Sequence, residues 1–214
     1  MHCCGPITCG TGRFFSRFAR RYRRRYQRKG LERSQTDLLH GILAAGVDDA
    51  TLLEIGCGVG YLHQRLLQSG AARAVGIDLA SAMLDEARLL AHEQGLGART
   101  TYLLGDFIDL APQLDTADVT LLDKVVCCYP DAAALVNRSL DKTHRVYALT
   151  LPRAHLFNRV GVVLLSAALK LLGSAYRPYV HDPVAIEAWI TARGFRKSFQ
   201  TRTLLWLTQV YERE

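Results

Sequence analysis

The stretch Leu52-Leu53-Glu54-Ile55-Gly56-Cys57-Gly58-Val59-Gly60 constrains the fold of this chain more than any other part of it. A short apolar run carries a carboxylate, three alternating glycines follow, and residues 61–68 then show helical spacing through Leu62, Leu66 and Leu67. A strand that turns through glycines into a helix is the opening unit of a parallel α/β sheet. Glycines there admit positive φ and let the backbone approach a ligand closely, while the start of the helix offers unpaired N–H groups to an anion. A dinucleotide loop of the G-x-G-x-x-G kind would need its third glycine at position 61, where Tyr61 stands.

The alternation continues. Residues 74–77, 101–104, 119–126 and 146–151 read as further buried strands after 50–55, and residues 82–94 as a second helix. Residues 195–201 and 204–211 read as two strands with a short break, an antiparallel hairpin at the sheet edge. The expected architecture is therefore α/β: a doubly wound, mostly parallel seven-stranded sheet with an antiparallel C-terminal hairpin strand and N-terminal helices. Residues 1–48 form a basic arm with lid helices, and 49–214 the ligand-binding domain.

Charge is unevenly placed. The net charge is +7, yet Arg13 to Lys29 contains nine basic residues and no acidic one, leaving 18 basic against 20 acidic elsewhere. The basic character belongs to an arm and not to the body, so the high pI is weak support for a nucleic-acid substrate. Glycines and Pro6 predict an irregular residues 1–12, followed by a basic helix over 14–28 with Phe14, Phe18, Tyr22 and Tyr26 at i, i+4 steps, and another over 33–45. The aromatic face predicts an arm that docks as a lid over the bound ligand, in place of a disordered tail or an RNA contact. Residues 1–12 lack a charged segment followed by an apolar run, so cytoplasmic placement with reduced cysteines is expected. Residues 155–172 form an apolar helix with Arg159, Ser166 and Lys170 on one line. The expectation is a buried helix, with a surface-lying or lid helix as the alternative; a weak contact with a membrane surface would go through it or the arm.

Acidic positions close the pattern. Asp78 ends the second strand 22 residues after Gly56, where a carboxylate can accept both hydroxyls of a ribose. Gly105-Asp106-Phe107 ends the third strand, and Asp123 lies near the end of the fourth. On these residues the chain resembles the class I methyltransferases. The resemblance implies S-adenosyl-L-methionine as cofactor, Gly56, Gly58 and Gly60 against its methionine part, Asp78 on the ribose, and Asp106 and Phe107 at the adenine. Glu54 would orient the loop or a cofactor amine. Cys57, Leu79, Met83, Asp123 and Tyr22 complete the expected cofactor set.

Methyl transfer needs alignment and water exclusion more than covalent help, and a base only when the acceptor carries a proton. Asp123, Tyr129 and His181 are the expected catalytic residues, and Cys127, Cys128, Tyr129, His155, Arg159 and Tyr179 the expected substrate residues. The segment after Asp123 is not the N-P-P-Y-like turn of many enzymes that methylate amino groups of bases. The Cys-Cys-Tyr-Pro-Asp and Arg-Pro-Tyr-Val-His-Asp-Pro stretches are loosely similar to small bacterial magnesium-protoporphyrin O-methyltransferase-type proteins, implying O-methylation of an apolar molecule bearing a carboxylate or hydroxyl. Two alternatives stay open. In one, Cys3, Cys4, Cys127 and Cys128 hold a soft metal or metalloid, as in arsenite methyltransferases, with a thiol or metalloid as acceptor. In the other, the chain is a non-catalytic cofactor- or RNA-binding module.

Overall fold

The computed structural model describes Pro6–Arg213, with side chains from Gly10 onward. Helices α1 (Pro6–Ser16), α2 (Ala19–Lys29) and α3 (Arg33–Ala44) lead into β1 (Thr51–Ile55). Then follow α4 (Tyr61–Gln68), β2 (Arg73–Asp78), α5 (Ser81–Glu93), β3 (Thr100–Leu104), α6 (Phe107–Leu110) and β4 (Ala117–Asp123). The chain ends with α7 (Ala132–Asp141), β5 (Thr143–Pro152), α8 (Leu156–Leu171), α9 (Pro183–Thr191), β6 (Phe195–Arg202) and β7 (Trp206–Arg213).

Among the described residues seven strands form one sheet in the order β3-β2-β1-β4-β5-β7-β6. Neighbouring strands from β3 through β5 pair parallel, and β7 runs antiparallel between β5 and β6. The winding reverses between β1 and β4, the switch point beside which open α/β sheets bind ligands at their carboxyl ends. Successive residues of a strand face opposite sides, so the central strands feed two cores. Leu53, Ile55, Leu122, Tyr147 and Leu149 pack with α7 and α9 on one side. Leu52, Val119, Leu121, Val146 and Ala148 pack with α3 and α4 on the other. Burial on both faces is why these strands read as continuous apolar runs.

Four expectations change. Residues 6–12 are helical, because Gly10 and Gly12 serve close packing and not chain breaks: a Cβ on Gly12 would collide with the Leu79 carbonyl, and one on Gly10 with Ala175. The expected basic helix is two helices that meet at Arg17–Phe18. β4 stops at Asp123 because Lys124 takes φ +60°, and Val126–Cys128 is a 3-10 turn. Finally, α8 is not a core helix. Only Asn158 and Leu169 on it are buried, while Leu156, Phe157, Val163, Leu164 and Leu171 are each at least 66% exposed.

Candidate active site

A cavity of about 330 Å³ opens at the carboxyl ends of β1, β2, β3 and β4. Its floor is the β1–α4 loop. Gly56, Gly58 and Gly60 all have positive φ. A Cβ on Gly56 would strike Val125 at 2.5 Å, whereas Gly58 has open space above it, so the middle glycine presents bare backbone to the cavity. Asp78 anchors this loop: its two carboxylate oxygens accept from Gly58 N and Ala80 N, each at 2.8 Å. Burial pushes its carboxyl up to about 6, against the downward pull of those hydrogen bonds.

Glu54 lies beneath the loop, where Oε2 accepts from His63 N at 3.2 Å and stands 2.5 Å from His63 Nδ1. Both side chains are buried, and His63 Nε2 meets the Tyr102 hydroxyl at 2.9 Å. Burial raises the Glu54 carboxyl, with His63 opposing. Glu54 therefore ties the loop to the first turn of α4.

Opposite the loop, Asp106 caps α6 by accepting from Ile108 N at 2.9 Å, and it also accepts from the Tyr129 hydroxyl at 2.8 Å. Burial and the Asp106 carboxylate push the Tyr129 phenol far above its ordinary value, so Tyr129 donates a proton-bearing hydrogen bond at the Asp106 end of the cavity. At the end of β4, Asp123 Oδ2 accepts from Gln35 Nε2 at 2.9 Å, while its Oδ1 is buried without a hydrogen-bond partner among the described residues. A buried unpaired carboxylate oxygen beside bare glycine backbone fits a ligand that brings a cation or N–H donor.

Beyond Asp123, Lys124 Nζ binds Glu32 at 2.6 Å and lies 5.1 Å from the centre of the Trp206 ring. Burial raises Glu32, but Lys124 and then Arg25 outweigh it and hold it below the usual carboxylate range. Cys128 faces the cavity, 3.3 Å from the Tyr176 hydroxyl and 3.9 Å from the Cys127 sulfur. Their mutual hydrogen bond raises the Cys127 thiol and lowers that of Cys128.

The N-terminal helices form the roof. Tyr26 stacks on Tyr61 with centroids 3.9 Å apart, Arg23 Nη1 binds Glu86 at 2.9 Å, and Thr11, Phe15, Tyr22 and Arg25 line the cavity.

Of the residues singled out in the sequence, Tyr22, Glu54, Gly56, Cys57, Gly58, Asp78, Leu79, Met83, Asp106, Phe107, Asp123, Cys128 and Tyr129 line this one cavity. Gly60 turns away, where a Cβ would meet Gln64 and His63. Other expected residues fall outside the lining. His155 and Arg159 are exposed on the α8 side. His181 meets the Tyr129 carbonyl at 2.9 Å, the Tyr179 N–H donates to the Cys127 carbonyl, and Cys127 itself is buried behind Cys128. Cys3 and Cys4 lie outside the described residues, among which no group of three or more metal-ligating side chains occurs. Gln35, Glu32, Lys124 and Trp206 were not anticipated.

Residues 52–147 match the family model of a methyltransferase domain. The chain carries a methyltransferase domain over these residues. This methyltransferase is 28% identical over 158 residues to the ubiquinone biosynthesis O-methyltransferases of Pseudomonas paraeruginosa and Pseudomonas aeruginosa. The match takes in 70% of the chain and 66% of those relatives, so it spans just under two thirds of their length. Its fold is that of the magnesium protoporphyrin IX methyltransferase of Synechocystis solved with S-adenosylmethionine, at TM-score 0.71, 20% identity and full coverage of both chains. A Haloferax volcanii methyltransferase in complex with its activator Trm112 superposes at TM-score 0.67 and 15% identity, over 92% of this chain and 96% of that one. The cofactor of this family is S-adenosylmethionine.

Proposed function

We propose that this methyltransferase transfers a methyl group to an oxygen of a small or medium apolar acceptor bearing a hydroxyl or carboxylate. The observation that carries the reading is the convergence, in one cavity, of bare glycine backbone, Asp78, Asp106 and the unpaired Asp123 oxygen. In this reading Asp78 receives the ribose hydroxyls while holding Gly58, and Asp123 Oδ1 receives the amino group of the methionine part. Asp106 and Phe107 take the adenine. When bound, the cofactor supplies a sulfonium-borne methyl group that an acceptor oxygen displaces in line.

The chain's own work is then positioning. Tyr22, Lys124, Cys128 and Trp206 bound the end of the cavity beyond Asp123. Lys124, fixed by Glu32 and the Trp206 ring, presents a cation to an acceptor carboxylate or phenolate. α1 and α2 exclude water by closing over the loop. A carboxylate acceptor needs no base.

The O-methyltransferase relatives support oxygen as the acceptor atom. The test is incubation of a cell extract with isotopically labelled S-adenosylmethionine and the protein, followed by mass spectrometry of small molecules. A labelled O-methyl product that vanishes with Asp78→Ala supports the reading. Label found only in nucleic acid, or none at all, overturns it.

A further inference from the structure

Two features of the chain have no role in the cofactor site: the outward face of the arginine-rich helices and the apolar face of α8. They are linked through α1. The C-terminal end of α8 runs through Gly173 into Tyr176, whose ring stacks on Phe14 of α1 at 4.7 Å and meets Phe15 edge-on at 5.2 Å. At its other end, Asn158 Nδ2 donates to the Leu205 carbonyl at 3.0 Å, which brings the exposed Leu204–Leu205 pair to the first turns of α8.

Each helix has an inner and an outer face. On α2, Ala19 is buried, Arg23 binds Glu86 and Tyr26 stacks on Tyr61, so this face docks on the body. Arg21, Arg24 and Arg28, at i, i+3 and i+7, are exposed on another face. On α8, Asn158, Val162, Ser166 and Leu169 turn inward, and two of these four are polar. The outward residues include Leu156, Phe157, Val160, Val163, Leu164, Leu171 and Leu172, from 49% to 89% exposed. That is the inverse of a helix built to rest on a protein core with its polar side in water.

Charge selects the occupant. Residues 1–31 and 153–181 hold 13 of the 27 basic residues and none of the 20 acidic ones. A nucleic acid would use the arginines but has no need of the apolar helix. A second protein chain would use the leucines but has no need of the exposed Arg21, Arg24 and Arg28. An anionic lipid bilayer uses both, with arginines at the headgroups and an apolar helix face in the acyl boundary.

We propose that α8, Leu204–Leu205 and the outer face of α2 form one docking surface for an anionic membrane, and that the acceptor enters the active site from that membrane. The surface borders the cavity: Leu205 precedes Trp206, and Tyr176 contacts Cys128, both of which line its acceptor end. Docking is peripheral, since no described helix is long and apolar enough to cross a membrane. The route of the acceptor rests on the function proposed above; the docking surface does not.

The experiment is co-sedimentation of the full chain with phosphatidylcholine vesicles, with and without about one-third phosphatidylglycerol. The expected result is partition onto the anionic vesicles, weakened by salt. Arg21→Glu/Arg24→Glu/Arg28→Glu and, separately, Val163→Asp/Leu164→Asp should each reduce it by more than about tenfold. Both variants should still bind S-adenosylhomocysteine as the unaltered chain does, which separates a lost surface from a lost fold. Binding to neither vesicle, or equal binding of wild type and both variants, overturns the proposal. So does a dimer in sedimentation velocity that Val163→Asp/Leu164→Asp dissociates while vesicle binding is absent, and so does single-stranded RNA that binds without the α8 residues. If the surface is upheld while S-adenosylhomocysteine fails to bind even the wild type, the docking stands and the catalytic reading falls.

Discussion

Asp78 gives the sharpest quantitative handle on the site, because one carboxylate is asked to be buried, to hold the glycine loop and to receive a ligand. Its folded-state value of about 6 lies some two units above the ordinary 3.8 because burial disfavours the charged form. The sign follows directly. A carboxyl raised on folding favours the folded state most below its unfolded value, and that contribution is lost as pH rises through about 6. Two units at 1.36 kcal/mol each set the difference at about 3 kcal/mol. Ligand binding runs the other way, since ribose hydroxyls need the ionised acceptor. Affinity for S-adenosylhomocysteine should therefore be flat above pH about 7 and fall about tenfold per unit well below 6. Asp78→Asn should lose the pH dependence and gain apo stability relative to wild type as pH rises from 4 to 7. Asp78→Ala removes charge-assisted bonds worth about 1.5–3 kcal/mol each, so the loss of affinity should exceed about tenfold. The assay is calorimetric titration across pH 5–8 alongside urea unfolding of the ligand-free proteins. A wild-type affinity unchanged from pH 7 to 5, or an Asp78→Asn variant with the same pH profile as wild type, refutes the argument.

Other consequences are equally specific. Glu54→Ala leaves the buried His63 ring and its backbone N–H without their shared acceptor, and urea unfolding should show a loss of about 1–3 kcal/mol for each orphaned group; a loss under about 1 kcal/mol contradicts the buried pair. Gly56→Ala must displace Val125 as well as adopt positive φ, so it should destabilise the fold more than Gly58→Ala, which meets open space. Thermal unfolding ranks the two, and the reverse order is the failing result. Tyr26→Ala removes the stack on Tyr61, so the cofactor should dissociate faster in stopped flow, with unfolding changed by only about 1 kcal/mol. An unchanged off-rate shows that α2 is not a lid.

What the sequence made legible was whatever is written in local order. Glycine punctuation after an apolar run located β1 and its loop, and carboxylates at successive strand ends located Asp78, Asp106 and Asp123. Three kinds of information were not local. Gln35 and Glu32 reach Asp123 and Lys124 across 88 and 92 residues, and no spacing rule connects them. Gly10 and Gly12 read as chain breaks because the partners that require their smallness, Ala175 and Leu79, come from other elements. The apolar α8 read as core because composition records only that a helix avoids water. Its place against the body was decided by Asn158, Ser166 and Leu169, a mixed stripe with little apolar pattern. His181 and His155 looked chemical as residue types, yet topology placed one against a backbone carbonyl and the other at the exposed start of α8.

The most direct measurement is calorimetric titration of the intact chain with S-adenosylmethionine at neutral pH. One saturable site per chain is predicted, weakened by Asp78→Ala and by Asp123→Ala. An absence of heat at millimolar cofactor, with the protein folded, would contradict the assignment of this cavity.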